Sequence, residues 1–346
     1  MARLVTEGAE CGELGPFWSY IGGVITANPV RTGTYSWEMG SRYGGATNYR
    51  IVTKTLASMS EFYIRFAWQQ TGATYGTGDY LCTWLSGANV AGGMKINLFN
   101  ELAGTFEMYD GTTSRVTSTP ARLQTGEWNV FELHVKLAAT PNGIFQAKLN
   151  GHLLIDWTGT TNGSYSTVDN IRFWHQSSTS NGGLCYIDDI AINNTTTAND
   201  NSWPGDGGVL AALVPMTGAA TYSDLIASTG NAWDCVNEKP ASATDYAYES
   251  TVDKKSTYLL TNLAGLPSGA SIARVWMEIG ALESAAAGGK IATLLRSGST
   301  DSQGTDQLLS IAQAKFASAE YLVDPADSAA WDSTKVNALE AGAVVR

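Results

Sequence analysis

The sequence predicts a nearly all-β chain of two sandwich domains, the second smaller than the first and carrying one short helix near its C-terminus. Three observations lead there. Short runs of β-branched and aromatic residues recur, separated by Gly, Asn, Asp, Ser or Thr, with almost no helical period. Gly accounts for 37 residues while charged residues make up only 15%, the balance of turn-rich β-structure. At 346 residues the chain is long enough for two cores, neither needing a disulfide or metal to hold it.

Taken in order, segments 62–68, 95–99, 129–136 and 144–149 are rich in β-formers, and several alternate apolar with polar residues over most of their length. Asn150 and Gly151 follow, a pair that tolerates positive φ at both turn positions, so 147–149 and 152–155 are expected to form a two-residue hairpin. Segments 168–175 and 184–192 read as a second hairpin that closes the first sandwich. Residues 193–202 are small and polar with no apolar anchor, which places a linker there between domains at 1–192 and 203–346. In the second domain, 208–214, 256–260, 270–279 and 291–296 are strand-like, and many short strands must stack two sheets or close a barrel. Residues 333–341 carry helix signals, with Asp332 or Ser333 as N-cap and Gly342 just past the end.

Charge excludes one class of partner. The 21 basic against 32 acidic residues give a net charge of −11 with no Lys/Arg run, which argues against nucleic acid. The first residues lack the apolar core of a signal peptide and no stretch has the length of a membrane span, so the chain is expected to be made and kept in the cytosol, away from membranes. Cys11, Cys82, Cys185 and Cys235 are scattered without C-x-x-C spacing and read as reduced, buried thiols.

The first segment resembles the concanavalin A-like (laminin-G-like) jelly-roll family over residues 3 to 192. The resemblance lies in Arg31-Thr32-Gly33-Thr34-Tyr35-Ser36-Trp37-Glu38, in Gly126-Glu127-Trp128-Asn129-Val130-Phe131-Glu132-Leu133-His134-Val135, and in Gly183-Leu184-Cys185-Tyr186-Ile187-Asp188-Asp189-Ile190. The second segment is similar to a β-rich module at the C-terminus of structural proteins in tailed bacteriophages. Its residues are Asp200-Asn201-Ser202-Trp203-Pro204-Gly205-Asp206-Gly207, Asn231-Ala232-Trp233-Asp234-Cys235-Val236-Asn237-Glu238, Thr244-Asp245-Tyr246, Leu295-Arg296-Ser297-Gly298-Ser299-Thr300-Asp301, and Asp324-Pro325-Ala326 through Asn337-Ala338-Leu339-Glu340-Ala341-Gly342.

Together the resemblances imply a non-enzymatic bacteriophage virion protein exposed on the particle surface, as capsid decoration or cement or at the tail. Its partners would be other virion proteins, further copies of itself, a trimer among the options, and host-surface carbohydrate. The alternative is a carbohydrate-binding module or glycoside hydrolase on the same fold.

Glycoside hydrolysis needs two carboxylates across one bond, and glucanases of this fold set them as Glu-x-Asp-x-x-Glu, which is absent here. Asp188 and Asp189 are adjacent, so in a regular strand they point to opposite faces, one to solvent and the other accepting hydrogen bonds from a loop. Glu7, Asp188 and Asp189 are the candidate ligands for a calcium ion, the one cofactor considered. His134, His152 and His175 lack the spacing zinc requires, and no Gly-x-Ser-x-Gly elbow occurs. Gly22-Gly23, Gly44-Gly45, Gly92-Gly93, Gly182-Gly183 and Gly207-Gly208 read as tight turns. No catalytic residue is therefore expected. The aromatic supply for a glycan is Trp68, Tyr75, Tyr80, Trp84, Trp157 and Trp174.

Overall fold

The computed structural model describes residues 3–346 except 14, 17, 22–23, 40–48, 54, 72–78, 101–102, 112, 124–125, 176–183, 243, 287 and 318–319. The chain forms two compact units, Met1–Leu210 and Ala211–Arg346. Tyr75 and the glycine pairs at 22–23, 44–45 and 182–183 lie outside the described residues.

The first unit is a jelly-roll-like sandwich of two antiparallel eight-stranded sheets. Sheet one runs β14 (His152–Gly159), β13 (Gly143–Leu149), β12 (Asn129–Lys136), β6 (Glu61–Gln70), β16 (Cys185–Asn194), β4 (Ser36–Glu38), β3 (Val24–Thr26), with β1 (Arg3–Glu7) also on β16. Sheet two runs β10 (Thr113–Thr117), β9 (Ala103–Asp110), β8 (Asn89–Asn100), β7 (Asp79–Ser86), β15 (Asn170–His175), β5 (Tyr49–Thr53), β2 (Trp18–Ile21), with β11 (Ala121–Arg122) on β9. The expected turn is present: Asn150 and Gly151 take φ of 50° and 80°, and Leu149 pairs with His152.

Alternation builds the core. Phe62, Ile64, Phe66 and Trp68 of β6 face inward together with Phe131, Leu133 and Val135 of β12. They meet Trp84, Met94, Phe106, Met108 and Phe173 from sheet two. Phe66 sits edge-on to Phe173 at 5.0 Å and Phe106 edge-on to Phe131 at 5.5 Å, the offset that the ring quadrupoles favour. Each such buried ring contributes about 1.5–3 kcal/mol through removal from water.

Two expectations change here. Segments 168–175 and 184–192 form no hairpin: β15 pairs with β5 and β7 in sheet two, whereas β16 pairs with β1, β4 and β6 in sheet one. Strand content was legible, but which sheet each strand joins is set by long-range packing. Likewise Gly92-Gly93 is no turn. Both glycines lie inside β8, because a Cβ at Gly92 would meet Trp84 Nε1 at 2.4 Å and one at Gly93 would meet the Tyr109 hydroxyl at 2.5 Å.

The second unit is β-rich. Its main sheet runs β17 (Pro215–Met216), β20 (Lys255–Leu260), β26 (Glu340–Val345), β22 (Lys290–Ser297), β23 (Thr300–Gln303), with β24 (Gln307–Leu308) also on β22. Two-stranded ladders join β18 (Ile226–Ala227) to β19 (Ala247–Tyr248) and β21 (Glu278–Ala281) to β25 (Ala314–Ala317). Leu295, Trp331, Val336 and Leu339 form its buried cluster. Segment 208–214 is not a strand, and of 270–279 only the end enters one.

The expected helix exists but is short: α1 spans Ser333–Asn337, and Asp332 caps it by accepting from Lys335 N at 2.8 Å. Residues from Glu340 onward belong to β26, so Gly342 is not a helix-ending glycine. It sits opposite Thr257, where a Cβ would come 1.8 Å from the Ser256 carbonyl oxygen.

Candidate functional site

Two polar constellations stand out in the first unit, one on the outer face of each sheet. On sheet one, Asp188 and Asp189 do not diverge as a regular strand would require. The register between β16 and β6 shifts after Asp188, and Asp189 takes φ of 52°. This bulge turns both carboxylates onto Arg31 and Thr32. Asp188 accepts from Asp189 N at 2.7 Å and Arg31 N at 3.0 Å. Asp189 accepts from Arg31 Nη1 at 2.7 Å, Thr32 Oγ1 at 2.6 Å and Val209 N at 2.8 Å. Both aspartates are wholly buried, which corrects the expectation that one faces solvent.

The same cluster ties down residues 203–209. Arg31 also bonds Asp206 and the Gly207 carbonyl, and Arg65 donates to the carbonyls of Asp189 and Gly205 at 3.0 and 3.1 Å. Glu132 accepts from Gly205 N at 2.9 Å. Trp203 lies beneath the Lys148 ammonium, 3.8 Å from it, and beside Tyr63 and His134. His134 is thus packed: stacked on Tyr63, with its ring nitrogens bonded to Gln146 and Glu61.

Electrostatics follow from burial. Desolvation first, and the Asp189 charge second, raise the Asp188 pKa from 3.8 to about 8, against hydrogen bonds that lower it. Burial opposes the Arg31 charge, yet the hydrogen bond and charge of Asp189 outweigh it and the net direction is up. Because the folded-state pKa of Asp188 lies above the unfolded one, its contribution is fully present below about pH 4 and is lost as pH rises toward 8. Denaturant titrations across that window are expected to show the first unit weakening with pH, and Asp188→Asn to flatten the slope; an unchanged slope in the variant would refute this assignment.

Of the candidate calcium ligands, Asp188 and Asp189 are engaged as above, and Glu7 Oε1 accepts from Gly8 N and Ala9 N. Among the described residues no group of three or more His, Cys, Asp or Glu is placed to hold a metal.

On sheet two the outer face carries a row the sequence reading missed. Cys82 and Trp84 point into the core, so Thr83 between them points outward. In register beside it lie Arg172 on one side and Gly93, then Tyr109, on the other. With no side chain at Gly93, the Tyr109 ring folds across that strand toward Thr83. Thr83 Oγ1 is buried and finds no hydrogen-bond partner among the described residues, while the buried Tyr109 hydroxyl has Tyr80 as its side-chain neighbour. Leaving a buried hydroxyl unpaired costs about 1–3 kcal/mol.

The neighbouring row holds Tyr80, Lys95 and Glu107 in register. The Lys95 ammonium lies 5.0 Å from the Tyr80 ring and 4.4 Å from the Tyr109 ring. Asn97 donates to Glu107 at 3.2 Å. Burial, then the adjacent Tyr80 and Cys82, drive the Tyr109 phenol far above its ordinary range, so it stays protonated and acts as a donor.

Among the six aromatic residues expected to meet a glycan, Tyr80 is the one placed in this group. Trp68 and Trp84 are sealed in the core, out of a ligand's reach. Trp157 is half-buried, stacks on Phe145 and covers Gly159. Trp174 belongs to β15, with its side chain outside the described residues, as is that of His175. The one sequence signal for the row was Gly92-Gly93 inside a run that otherwise reads as strand.

No protein-family model matches the chain, and no curated protein matches it by sequence. Among solved structures it is similar to an endo-β-1,4-glucuronan lyase from the fungus Trichoderma reesei, with TM-score 0.45 and 15% identity over 59% of this chain and 100% of that one. It is similar to the alginate lyase Aly36B, with TM-score 0.32 and 13% identity over 52% and 98%. A third is the binding domain of botulinum neurotoxin serotype C1, with TM-score 0.40 and 13% identity over 56% and 48%. Two of these three are lyases, which stands against the expectation of a chain that is not an enzyme.

Proposed function

We propose that the first unit is a carbohydrate-active β-sandwich that receives a saccharide on the outer face of sheet two. The observation that carries the reading is the part-exposed group of Tyr80, Lys95 and Glu107, in which the Lys95 ammonium lies over two tyrosine rings and Asn97 bonds Glu107. Aromatic faces with a few convergent polar groups are what sugars require, because each pyranose has an apolar face and a hydroxyl rim.

The chemistry available is donation. The Lys95 ammonium can donate to an oxygen of a saccharide that stacks on the Tyr80 ring. Gel electrophoresis of the full chain through gels containing single polysaccharides tests binding, and size analysis of those polysaccharides after incubation tests cleavage. Retardation by at least one polymer is expected, with Lys95→Ala weakening it by about tenfold, the scale of one desolvated cation contact. If no polymer retards the protein, the reading is wrong.

A second reading, an exposed bacteriophage virion component that assembles with other virion proteins and with copies of itself, rests on the resemblance in the second unit; the comparisons lend it no support. Mass spectrometry of purified particles would decide it by the chain's presence or absence.

A further inference from the structure

We infer that residues 203–209 are a releasable strap over the outer face of sheet one, and that its docking depends on His134 donating from both ring nitrogens.

The strap lies on two rows of side chains. In the first, Asp156, Gln146, His134, Tyr63 and Asn193 stand directly opposite one another on β14, β13, β12, β6 and β16. In the second, Lys148, Glu132, Arg65 and Ala191 do the same on β13, β12, β6 and β16. Asn193 donates to the Ser202 carbonyl at 2.8 Å, Trp203 packs against Tyr63, His134 and Lys148, and Gly205 is held by Glu132 and Arg65. Tyr63, Arg65, Glu132 and His134 are buried although they point away from the core. Residues 195–199, just before the strap, are exposed, which leaves it room to swing.

The first row fixes the proton count on His134. Gln146 Nε2 donates to Asp156 at 2.7 Å, so its amide oxygen is the atom turned to His134 Nδ1, 2.9 Å away. Glu61 presents a carboxylate oxygen to Nε2 at 3.0 Å. Both ring nitrogens face acceptors, and only an imidazolium donates at both. A neutral ring has one N–H and sets a lone pair against an oxygen on its other side. Flipping the Gln146 amide gives no relief, because its oxygen would then face the Asp156 carboxylate.

The aromatic rings favour the same state. His134 is stacked on Tyr63 with centroids 4.1 Å apart, and Trp203 stands edge-on to both, so a cation there lies against a π face. Among the neighbouring charges Glu61 touches the ring, with Lys136 3.8 Å beyond it, while Glu132, Arg65 and Lys148 stand in the next row and Asp156 behind Gln146. Loss of the proton breaks one charge-assisted bond in the floor beneath Trp203. Docking is therefore favoured on the acid side and weakens as pH rises. Release uncovers Tyr63, Arg65, Glu132 and His134, so the strap gates access to this face.

The test labels the full chain with 5-fluorotryptophan and follows Trp203 by fluorine NMR from about pH 5 to 8, the range in which histidine titrates. Trp203→Phe identifies the resonance. The expected result is a Trp203 signal that gains solvent exposure as pH rises, the released fraction growing at least about tenfold, the worth of one charge-assisted bond. His134→Gln should abolish this pH dependence, and Asp188→Asn should keep it, which separates the strap from the pH response of the buried aspartate. A Trp203 signal that does not change across the range, or that responds equally in His134→Gln, would overturn the inference. Nitrogen NMR of the histidine-labelled chain gives a second readout with position 134 intact, since His152→Gln and His175→Gln identify His134 by elimination. Both of its ring nitrogens should carry protons while the strap is docked; a neutral ring beneath a docked Trp203 would also overturn the inference.

Discussion

Arg31→Ala is expected to destabilise the first unit by about 3–5 kcal/mol, the range for removing one partner of a buried ion pair. The guanidinium holds the wholly buried Asp189 carboxylate at 2.7 Å and also bonds Asp206 and the Gly207 carbonyl. Without it Asp189 keeps Thr32 Oγ1 and Val209 N as donors but loses its closest charge partner. Arg65 does not hydrogen-bond that carboxylate, since it donates to the backbone carbonyls of Asp189 and Gly205. Denaturant unfolding measures the loss, and limited proteolysis should show new cutting within 203–209, which Arg31 helps fasten. Asp206→Ala is the contrasting variant: Asp206 is three-quarters exposed, and surface ion pairs contribute about 0–1 kcal/mol. Equal losses in the two variants would refute the claim that the buried pair matters.

Gly342→Ala is expected to cost the second unit at least about 4 kcal/mol, the exceptional end of single substitutions. Gly342 lies in β26, between β20 and β22, where its pairs are Thr257 and Leu294. An added Cβ would fall 1.8 Å from the Ser256 carbonyl oxygen and 2.8 Å from Thr257 Cα, and both are backbone of the paired strand. Rotamer change cannot relieve such a clash, so the β20–β26 ladder must open. Gly289→Ala is the control, because its Cβ would meet nothing closer than 3.5 Å. Calorimetry of the three proteins tests this, and a second-unit transition in Gly342→Ala within a few degrees of the control would show that the ladder accommodates a methyl group.

Local structure was legible in the amino-acid order. The β-rich texture, the strands around Phe66, Leu133 and Ala147, the Asn150-Gly151 turn and the Asp332 cap all depend on residues within a few positions of one another. Their physical cause, side-chain shape acting on φ and ψ, is written in the local chain.

Long-range packing set the rest. The assignment of β15 and β16 to different sheets is a choice between pairings whose strands look alike in isolation. The convergence of Asp188 and Asp189 depends on one bulge, and a single inserted residue reverses which face every later side chain takes. Gly342 could be read as a helix stop or a strand interior until Ser256 was known to lie against it. The row from Arg172 through Thr83 and Gly93 to Tyr109 joins four strands, Asn170–His175, Asp79–Ser86, Asn89–Asn100 and Ala103–Asp110, in a register that no local pattern specifies. Periodicity fixes which way a residue points, whereas burial against distant strands fixes what it points at.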